Sequence, residues 1–160
     1  MCIRDRALDS SGNVYVADYL NNRVVVFTPS GTLLSVYGQG GSFTSGVANY
    51  GGSISAGGMN GPYGIALDAS DNLYVTDTGN NRILVFASGS TTATRVYGQG
   101  GDFTSGAVNS GGSVSPAALD LPAGLTLDGS GGLFAADFNN NRVLYYPLGS
   151  TTAWRVYGQY

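Results

Sequence analysis

Short apolar segments alternate with turn residues along the whole chain. In the middle of the chain the apolar segments are residues 63–68, 72–77, 82–86 and 93–98. They are rich in Ile, Leu, Val, Tyr and Phe, whereas the segments between them hold Gly, Asn, Asp and Ser, which favour turns. This pattern predicts four short strands that form one antiparallel sheet. The third strand is apolar at every position after its arginine, so it requires cover on both faces.

The pattern repeats with a period of 60 residues. Val36-Tyr37-Gly38-Gln39 returns at residues 96–99 and again at 156–159. Two further series have nearly the same spacing: Asp18, Asp77 and Asp137, and the pairs Asn22-Arg23, Asn81-Arg82 and Asn141-Arg142. Sheets that repeat in this way and cover one another are typical of a propeller. The fold class we expect is all-β, a partial β-propeller of three four-stranded antiparallel blades.

The first two strands of the repeat resemble a known signature. Residues 62–68 read Pro-Tyr-Gly-Ile-Ala-Leu-Asp, and residues 72–83 read Asn-Leu-Tyr-Val-Thr-Asp-Thr-Gly-Asn-Asn-Arg-Ile. This is similar to the NHL repeat, and the similarity recurs at residues 122–143 and partly at 7–24. The family's histidine is missing from all three copies. The resemblance implies a ring of about six blades, of which this chain would be half.

The repeat also predicts the domain organisation. Within one partial propeller domain, residues 1–160, we expect blades at about residues 7–38, 62–98 and 122–158, joined by loops 39–61 and 99–121. Residues 1–6 lack the expected Pro-x-Gly-Ile and resemble the translated adapters of metagenomic reading frames, so we expect them to be non-native. We interpret the chain as part of a longer protein. A short chain that dimerises into a ring is the alternative.

The two long loops share their own sequence, Gln-Gly-Gly-x-Phe-Thr-Ser-Gly followed by Asn and Gly-Gly-Ser-x-Ser. A flexible linker would not repeat its sequence, so we expect ordered loops on one face of the propeller, with the phenylalanines packed inward. Such loops are a common place for binding sites, although they could equally serve only to brace the blades. The candidate binding residues are Phe43, Asn49, Tyr50, Phe103 and Asn109.

The Asp, Asn and Arg series is expected on the same face. It could form a ring of ligand contacts, or each aspartate could accept from turn amides and pair with the arginine. The identical use of these residues in every copy favours the structural role, because a binding site normally differs between blades. Asp9, Asp68 and Asp128 fall in hairpin turns that lack the further carboxylates of a calcium loop.

The charged residues limit the function classes. The formal net charge is −3 with no histidine, all positive charges are arginine and all negative ones aspartate, so a basic nucleic-acid-binding face is excluded. Cys2 is the single cysteine, which leaves no intrachain disulfide and no thiolate zinc site. We therefore expect no cofactor, no metal and no membrane insertion.

Without histidine, neither an imidazole base nor the histidine ligands of the family's metal-dependent lyases are available. We expect a non-catalytic binding or scaffolding module of a larger bacterial protein that recognises a protein, peptide or glycan through its loops. Its composition resembles that of secreted repeat proteins, which favours an extracellular or cell-surface location. The alternative is a fragment of a lyase or hydrolase whose catalytic residues lie in other blades. Further blades of the parent chain, or self-association, would cover the terminal blades.

Overall fold

The computed structural model describes residues 2–158, which form three four-stranded antiparallel sheets with the strands in chain order. Blade 1 comprises β1 (Ile3–Leu8), β2 (Val14–Asp18), β3 (Arg23–Phe27) and β4 (Leu33–Tyr37). Blade 2 comprises β5 (Pro62–Leu67), β6 (Leu73–Asp77), β7 (Arg82–Phe86) and β8 (Ala93–Tyr97). Blade 3 comprises β9 (Pro122–Leu127), β10 (Leu133–Asp137), β11 (Arg142–Tyr146) and β12 (Arg155–Gly158).

The predicted all-β class and the three four-stranded blades are confirmed. Blade 1 begins earlier than the predicted residue 7, because residues 3–6 already pair with β2, Ile3 opposite Asp18 and Arg6 opposite Val16. Backbone pairing does not require the Pro-x-Gly-Ile side chains, so the strand forms without them. The third copy of the tetrad ends at Gln159, which lies outside the described residues.

The turn between the second and third strands of each blade ends on an asparagine in the left-handed conformation. The φ angles of Asn22, Asn81 and Asn141 are 53°, 53° and 52°. Asparagine tolerates this region better than most residues because its short polar side chain can bond to nearby backbone. The turn therefore directs the following arginine into the third strand.

Apolar side chains from both faces of β7 join the blades. Leu84 and Phe86 belong to a cluster shared with blade 1, and Ile83 and Val85 belong to a cluster shared with blade 3. All five residues of the strand are buried. Edge-to-face aromatic pairs support the same stacking, with the Phe86 ring 5.2 Å from that of Tyr37. The cover that the sequence predicted for the third strand is thus provided by the neighbouring blades.

The first strands lie side by side on the inner edge of the blades, where β5 contacts both β1 and β9. Glycine permits this approach: a Cβ added at Gly64 would lie 2.5 Å from the Ala123 carbonyl oxygen. The Thr76 hydroxyl donates to the same oxygen at 2.7 Å and so fastens blade 2 to blade 3. The inner strands thus form a closely packed edge.

Candidate functional site

The turns that follow the second strands and the two long loops, residues 39–61 and 99–121, lie on one face of the blades, which we call the loop face. Asn81 joins these parts. Its Nδ2 donates to the Gly106 carbonyl at 2.9 Å, and its Oδ1 accepts from the Leu121 amide at 2.9 Å. Asn22 makes the equivalent two bonds to the first long loop. Each of these two asparagines therefore ties an inner residue and the last residue of the following long loop to its own blade.

A buried glutamine fixes the start of each long loop. Gln99 Nε2 donates to the carbonyls of Asn81 and Ala107, both at 2.9 Å, and its Oε1 accepts from the Ser105 hydroxyl at 2.7 Å. Gln39 makes the same three bonds in the first loop. The repeated tetrad was recognised in the sequence, but no role was predicted for its glutamine. The available signal was a polar residue that recurs at the same position of the tetrad in every copy.

The Asp77–Arg82 pair lies in the interior of blade 2. Arg82 Nε is 2.7 Å from Asp77 Oδ2, and both side chains are fully buried. Asp77 also accepts from the Asn60 amide at 2.6 Å and from Asn80 Nδ2 at 2.9 Å. Burial raises the pKa of Asp77, because the loss of water outweighs the Arg82 charge and the hydrogen bonds. The carboxylate is therefore occupied by groups of its own blade and of the loop that precedes it.

The Arg82 guanidinium connects both long loops. Its Nη1 donates to the carbonyl of Phe103 in the second loop, and its Nη2 donates to the carbonyls of Ser55 and Gly58 in the first loop, at 2.8 and 3.0 Å. A guanidinium suits this position because its donors point in several fixed directions and it stays charged when buried. One side chain thus braces two loops against blade 2.

The other two pairs repeat this arrangement in part. Arg142 is 2.7 Å from Asp137 and donates to two carbonyls of the second long loop. Arg23 is 3.1 Å from Asp18 and donates to the Phe43 carbonyl of the first loop. All three aspartates are fully buried. This geometry supports the structural interpretation of the series over a ring of ligand contacts.

The loop phenylalanines differ from each other although their sequences match. Phe103 is partly buried against the apolar cluster shared by blades 1 and 2, together with Ala56 of the first loop. Phe43 is exposed, and its loop is held through the Phe43 carbonyl instead. The expectation that both rings pack inward is therefore wrong for Phe43. The second loop packs against the first one, and the first loop has no such neighbour among the described residues.

The two loop asparagines are directed towards the next blade. Asn80 Nδ2 donates to Asn49 Oδ1 at 2.8 Å, and Asn140 Nδ2 donates to Asn109 Oδ1 at 2.9 Å. Both loop asparagines adopt left-handed backbone conformations, with φ/ψ of 52°/30° and 49°/37°. The two loops thus have the same backbone geometry here. Each long loop is latched to the turn of the blade that follows it.

Apolar side chains stand on the outer part of the loop face. We call this set the rim; it comprises Phe43, Val47 and Tyr50 of the first loop and Val108 and Val114 of the second loop. Each is between 45% and 59% exposed. Of the five candidate binding residues predicted from the sequence, Phe43 and Tyr50 are exposed to solvent.

A second feature of the loop face lies beside the inner strands. A pocket of about 210 Å³, the inner pocket, is lined by Tyr19, Tyr63, Thr78, Leu121, Ala123 and Phe138. This pocket was not among the predicted sites. Its signal was the variation among the three copies at these positions, which a search for repeated residues passes over.

Comparison with known proteins addresses the repeat directly. The family model described as NHL repeat matches residues 6–27 and 59–86, the inner parts of blades 1 and 2. Blades 1 and 2 are NHL repeats. Blade 3 lies outside the two matched segments, yet it repeats the same topology and the same Asp–Arg pair.

Solved structures agree with this fold. Virginiamycin B lyase from Staphylococcus aureus has a TM-score of 0.56 at 16% identity over 96% of this chain and 39% of its own. Hydrazine synthase from Kuenenia stuttgartiensis has a TM-score of 0.65 at 11% identity over 98% and 37%. A nidogen/laminin complex has a TM-score of 0.57 at 16% identity over 92% and 43%. The chain spans less than half of each, and at these identities the likeness concerns the fold. No curated protein sequence matches the chain.

The face opposite the loop face carries an open cleft of about 540 Å³ between the hairpin turns of blades 2 and 3. Between blades 1 and 2 the corresponding space is bridged, because Ser10 donates to the Asp71 carboxylate. Gly131 replaces that aspartate in blade 3. The cleft carboxylates Asp68 and Asp128 accept from amides of their own turns. They therefore serve the hairpins.

Within residues 2–158, no three His, Cys, Asp or Glu side chains come together as a group that could hold a metal ion. The same part of the chain has no helix that is both long and apolar enough to span a bilayer.

Proposed function

We propose that this chain is a non-catalytic binding module of a larger NHL-repeat protein and that it recognises a protein or peptide through the rim of its loop face. One observation carries the proposal: two long loops with the same backbone geometry are fastened by buried side chains, and they hold apolar side chains out to solvent. An ordered surface loses little entropy when it binds, so its contacts contribute more fully to affinity.

The composition of the rim favours a protein or peptide over other partners. Aromatic side chains such as Phe43 and Tyr50 are enriched at protein interfaces, and charged residues are depleted at the centre of such interfaces. Asp102 in the second long loop adds a negative charge, which opposes nucleic acid. A glycan partner is the competing class, and the experiment below separates it.

The test begins with a random peptide library displayed on phage and selected against the immobilised chain. A synthetic copy of an enriched peptide is then titrated by calorimetry against the wild type and the Val47→Ser/Tyr50→Ser variant. We expect a loss of about tenfold or more in affinity, since two exposed apolar anchors are removed. Leu148→Ser is the matched control, because this leucine is equally exposed on the opposite face and should leave binding unchanged.

Two results would overturn the proposal. The first is an enriched peptide that binds the double variant as well as the wild type. The second is the absence of any enriched peptide together with binding to a glycan array that the same double variant abolishes.

The alternative of a lyase or hydrolase fragment is supported by the likeness to virginiamycin B lyase, which concerns the fold alone. The gene of the parent protein separates the two proposals. Histidines on the loop face of further blades would favour the enzyme, and further blades with the same latched loops would favour the binding module. We further propose that the parent protein lies outside the cell or at its surface, because its composition resembles that of secreted repeat proteins. Localisation of a tagged parent protein would test this.

A further inference from the structure

The three blades differ from one another at positions that meet on the loop face beside the inner strands. The residue after the buried aspartate is Tyr19, Thr78 or Phe138, and the second residue of the first strand is Arg4, Tyr63 or Ala123. Elsewhere on this face the copies keep the same Asp, Asn, Arg and Gln. Residues that serve the blade are repeated, so a cluster of unlike residues is where specific recognition can arise.

This variation creates the inner pocket. Between blades 1 and 2 the rings of Tyr19 and Tyr63 pack edge to face, with centroids 6.2 Å apart at 85°. Between blades 2 and 3 Thr78 and Ala123 take the corresponding places, and their small side chains leave the pocket open. Tyr63 and Phe138 stand beside it with exposed ring surface, 37% and 67%.

Leu121 contributes to the pocket from an unfavourable backbone conformation. Its φ is 47°, whereas the equivalent residue of the preceding loop is Gly61 with a φ of 61°. Glycine adopts this region freely and leucine does not, and such strained residues concentrate at ligand-binding sites. The bond from the Leu121 amide to Asn81 Oδ1 holds the conformation. The Leu121 side chain thus lines the pocket at a cost in backbone strain, and the stacking of the blades does not require a leucine here, because the equivalent Gly61 serves between blades 1 and 2.

The chemistry of a ligand is indicated by the cation that contacts the rings of Tyr19 and Tyr63. The Arg4 guanidinium carbon lies 4.9 Å from the Tyr19 ring centroid and 5.5 Å from that of Tyr63. Aromatic faces attract organic cations at such distances. The observation concerns the tyrosine rings, so it does not depend on whether residue 4 belongs to the natural protein.

Charge around the pocket agrees with a cation. Asp120 directly precedes Leu121 and accepts from Asn139, the residue after Phe138, at 3.3 Å. In the preceding loop the equivalent residue is the neutral Asn60. The net charge of −3 adds to the attraction. A volume of about 210 Å³ lies below the range of drug-sized sites and fits a single side chain.

We propose that the inner pocket binds the guanidinium or ammonium group of an arginine or lysine side chain. This inference rests on the proposed function in one respect, since the bound arginine or lysine side chain would belong to the peptide partner that the rim binds. The cation would stack on the rings of Tyr63 and Phe138, and Asp120, the residue before Leu121, would add a negative charge to the same part of the loop face.

The test uses Nα-acetyl-arginine amide as the probe and Nα-acetyl-citrulline amide, which has the same shape without the charge, as its control. Both are titrated into the chain while the ring resonances of Tyr63 and Phe138 are followed by NMR. We expect saturable shifts with the arginine probe in the millimolar range and at least fivefold weaker binding of the citrulline probe. Phe138→Ala should weaken the arginine probe at least fivefold. The side chain is largely exposed, so this variant should fold.

Trp154→Ala is the matched aromatic variant, because Trp154 is exposed on blade 3 outside both the pocket and the rim, and it should leave the arginine probe unaffected. Equal binding of arginine and citrulline probes, or an unchanged affinity in Phe138→Ala, would overturn the inference. Preferential binding of methyl glucoside at the same rings would also overturn it.

The outcomes separate this inference from the proposed function. Selected peptides that lose affinity in Val47→Ser/Tyr50→Ser but show no arginine or lysine preference and ignore Phe138→Ala would sustain the rim and reject the pocket. Binding of the arginine probe with no enriched peptide would sustain the pocket and reject the rim.

Discussion

Replacement of Arg82 by methionine tests the central role of the buried pair in bracing the loop face. The change removes the partner of a fully buried Asp77 carboxylate and the donors to three loop carbonyls. Removal of one member of a buried ion pair costs about 3–5 kcal/mol, because the other charge stays in a medium that solvates it poorly. That is a large part of the total stability of about 5–15 kcal/mol that such domains have.

Arg23→Met is the internal comparison. Its side chain is 17% exposed, and it donates to Asp18 and to a single loop carbonyl. Water can reach part of the site that the arginine leaves, so we expect a smaller loss of about 1–2 kcal/mol. Both variants are measured by urea unfolding at pH 7, followed by far-UV circular dichroism.

A double variant isolates the orphaned charge. Asp77→Asn in the Arg82→Met background removes the buried carboxylate and keeps an acceptor of the same shape, so it should regain about 1 kcal/mol or more. Hydrogen exchange provides the local readout: the Asn109 amide, which donates across the second loop to Leu119, should exchange faster in Arg82→Met. An Arg82→Met loss no larger than that of Arg23→Met, or a double variant no more stable than the single one, would refute the reasoning.

Three further predictions use single sites. Gly64→Ala should cost about 2 kcal/mol in urea unfolding, since its Cβ would lie 2.5 Å from a carbonyl oxygen of blade 3, whereas Gly124→Ala, with nothing within 4 Å, should be nearly neutral. Tyr146→Phe should raise the free energy of unfolding, measured by urea unfolding, by about 1 kcal/mol, because the buried hydroxyl has no hydrogen-bond partner among the described residues. NMR titration should place the pKa of Asp128 below its ordinary value, since the Ser130 side chain and turn amides donate hydrogen bonds to the carboxylate. The resulting stabilisation is present above the pKa of the unfolded state and is lost as pH falls through the pKa of the folded state. Ser130→Ala should raise the titration midpoint of Asp128.

The propeller could be predicted because its causes are local and repeated. The apolar run of β7 indicated cover on two sides, and the structure provides it from blades 1 and 3. The predicted strand at residues 82–86 matches the observed bounds, since Asn81 and the turn before it fix where the strand starts. The ion pairs were also anticipated, because an antiparallel hairpin places the two residues that flank its turn opposite each other, as Asp77 and Arg82 are.

The candidate site was less predictable, because its residues depend on contacts between copies. Phe43 and Phe103 share a sequence context, but only Phe103 has another loop to pack against. Asn49 was a candidate for binding, and its partner Asn80 lies 31 residues away on the next blade. The inner pocket depends on differences between blades, which become meaningful only when the three-dimensional positions are known.

The amide latch between each long loop and the following turn has a consequence for how such chains grow. The first two copies each carry a loop asparagine that reaches forward, and the turns of the second and third blades each carry the asparagine that receives a loop from behind. A duplicated segment of 60 residues therefore arrives with compatible connectors at either end. Tandem duplication can lengthen the array without inventing a new joint, and each added unit is free to diversify the few side chains that no joint requires.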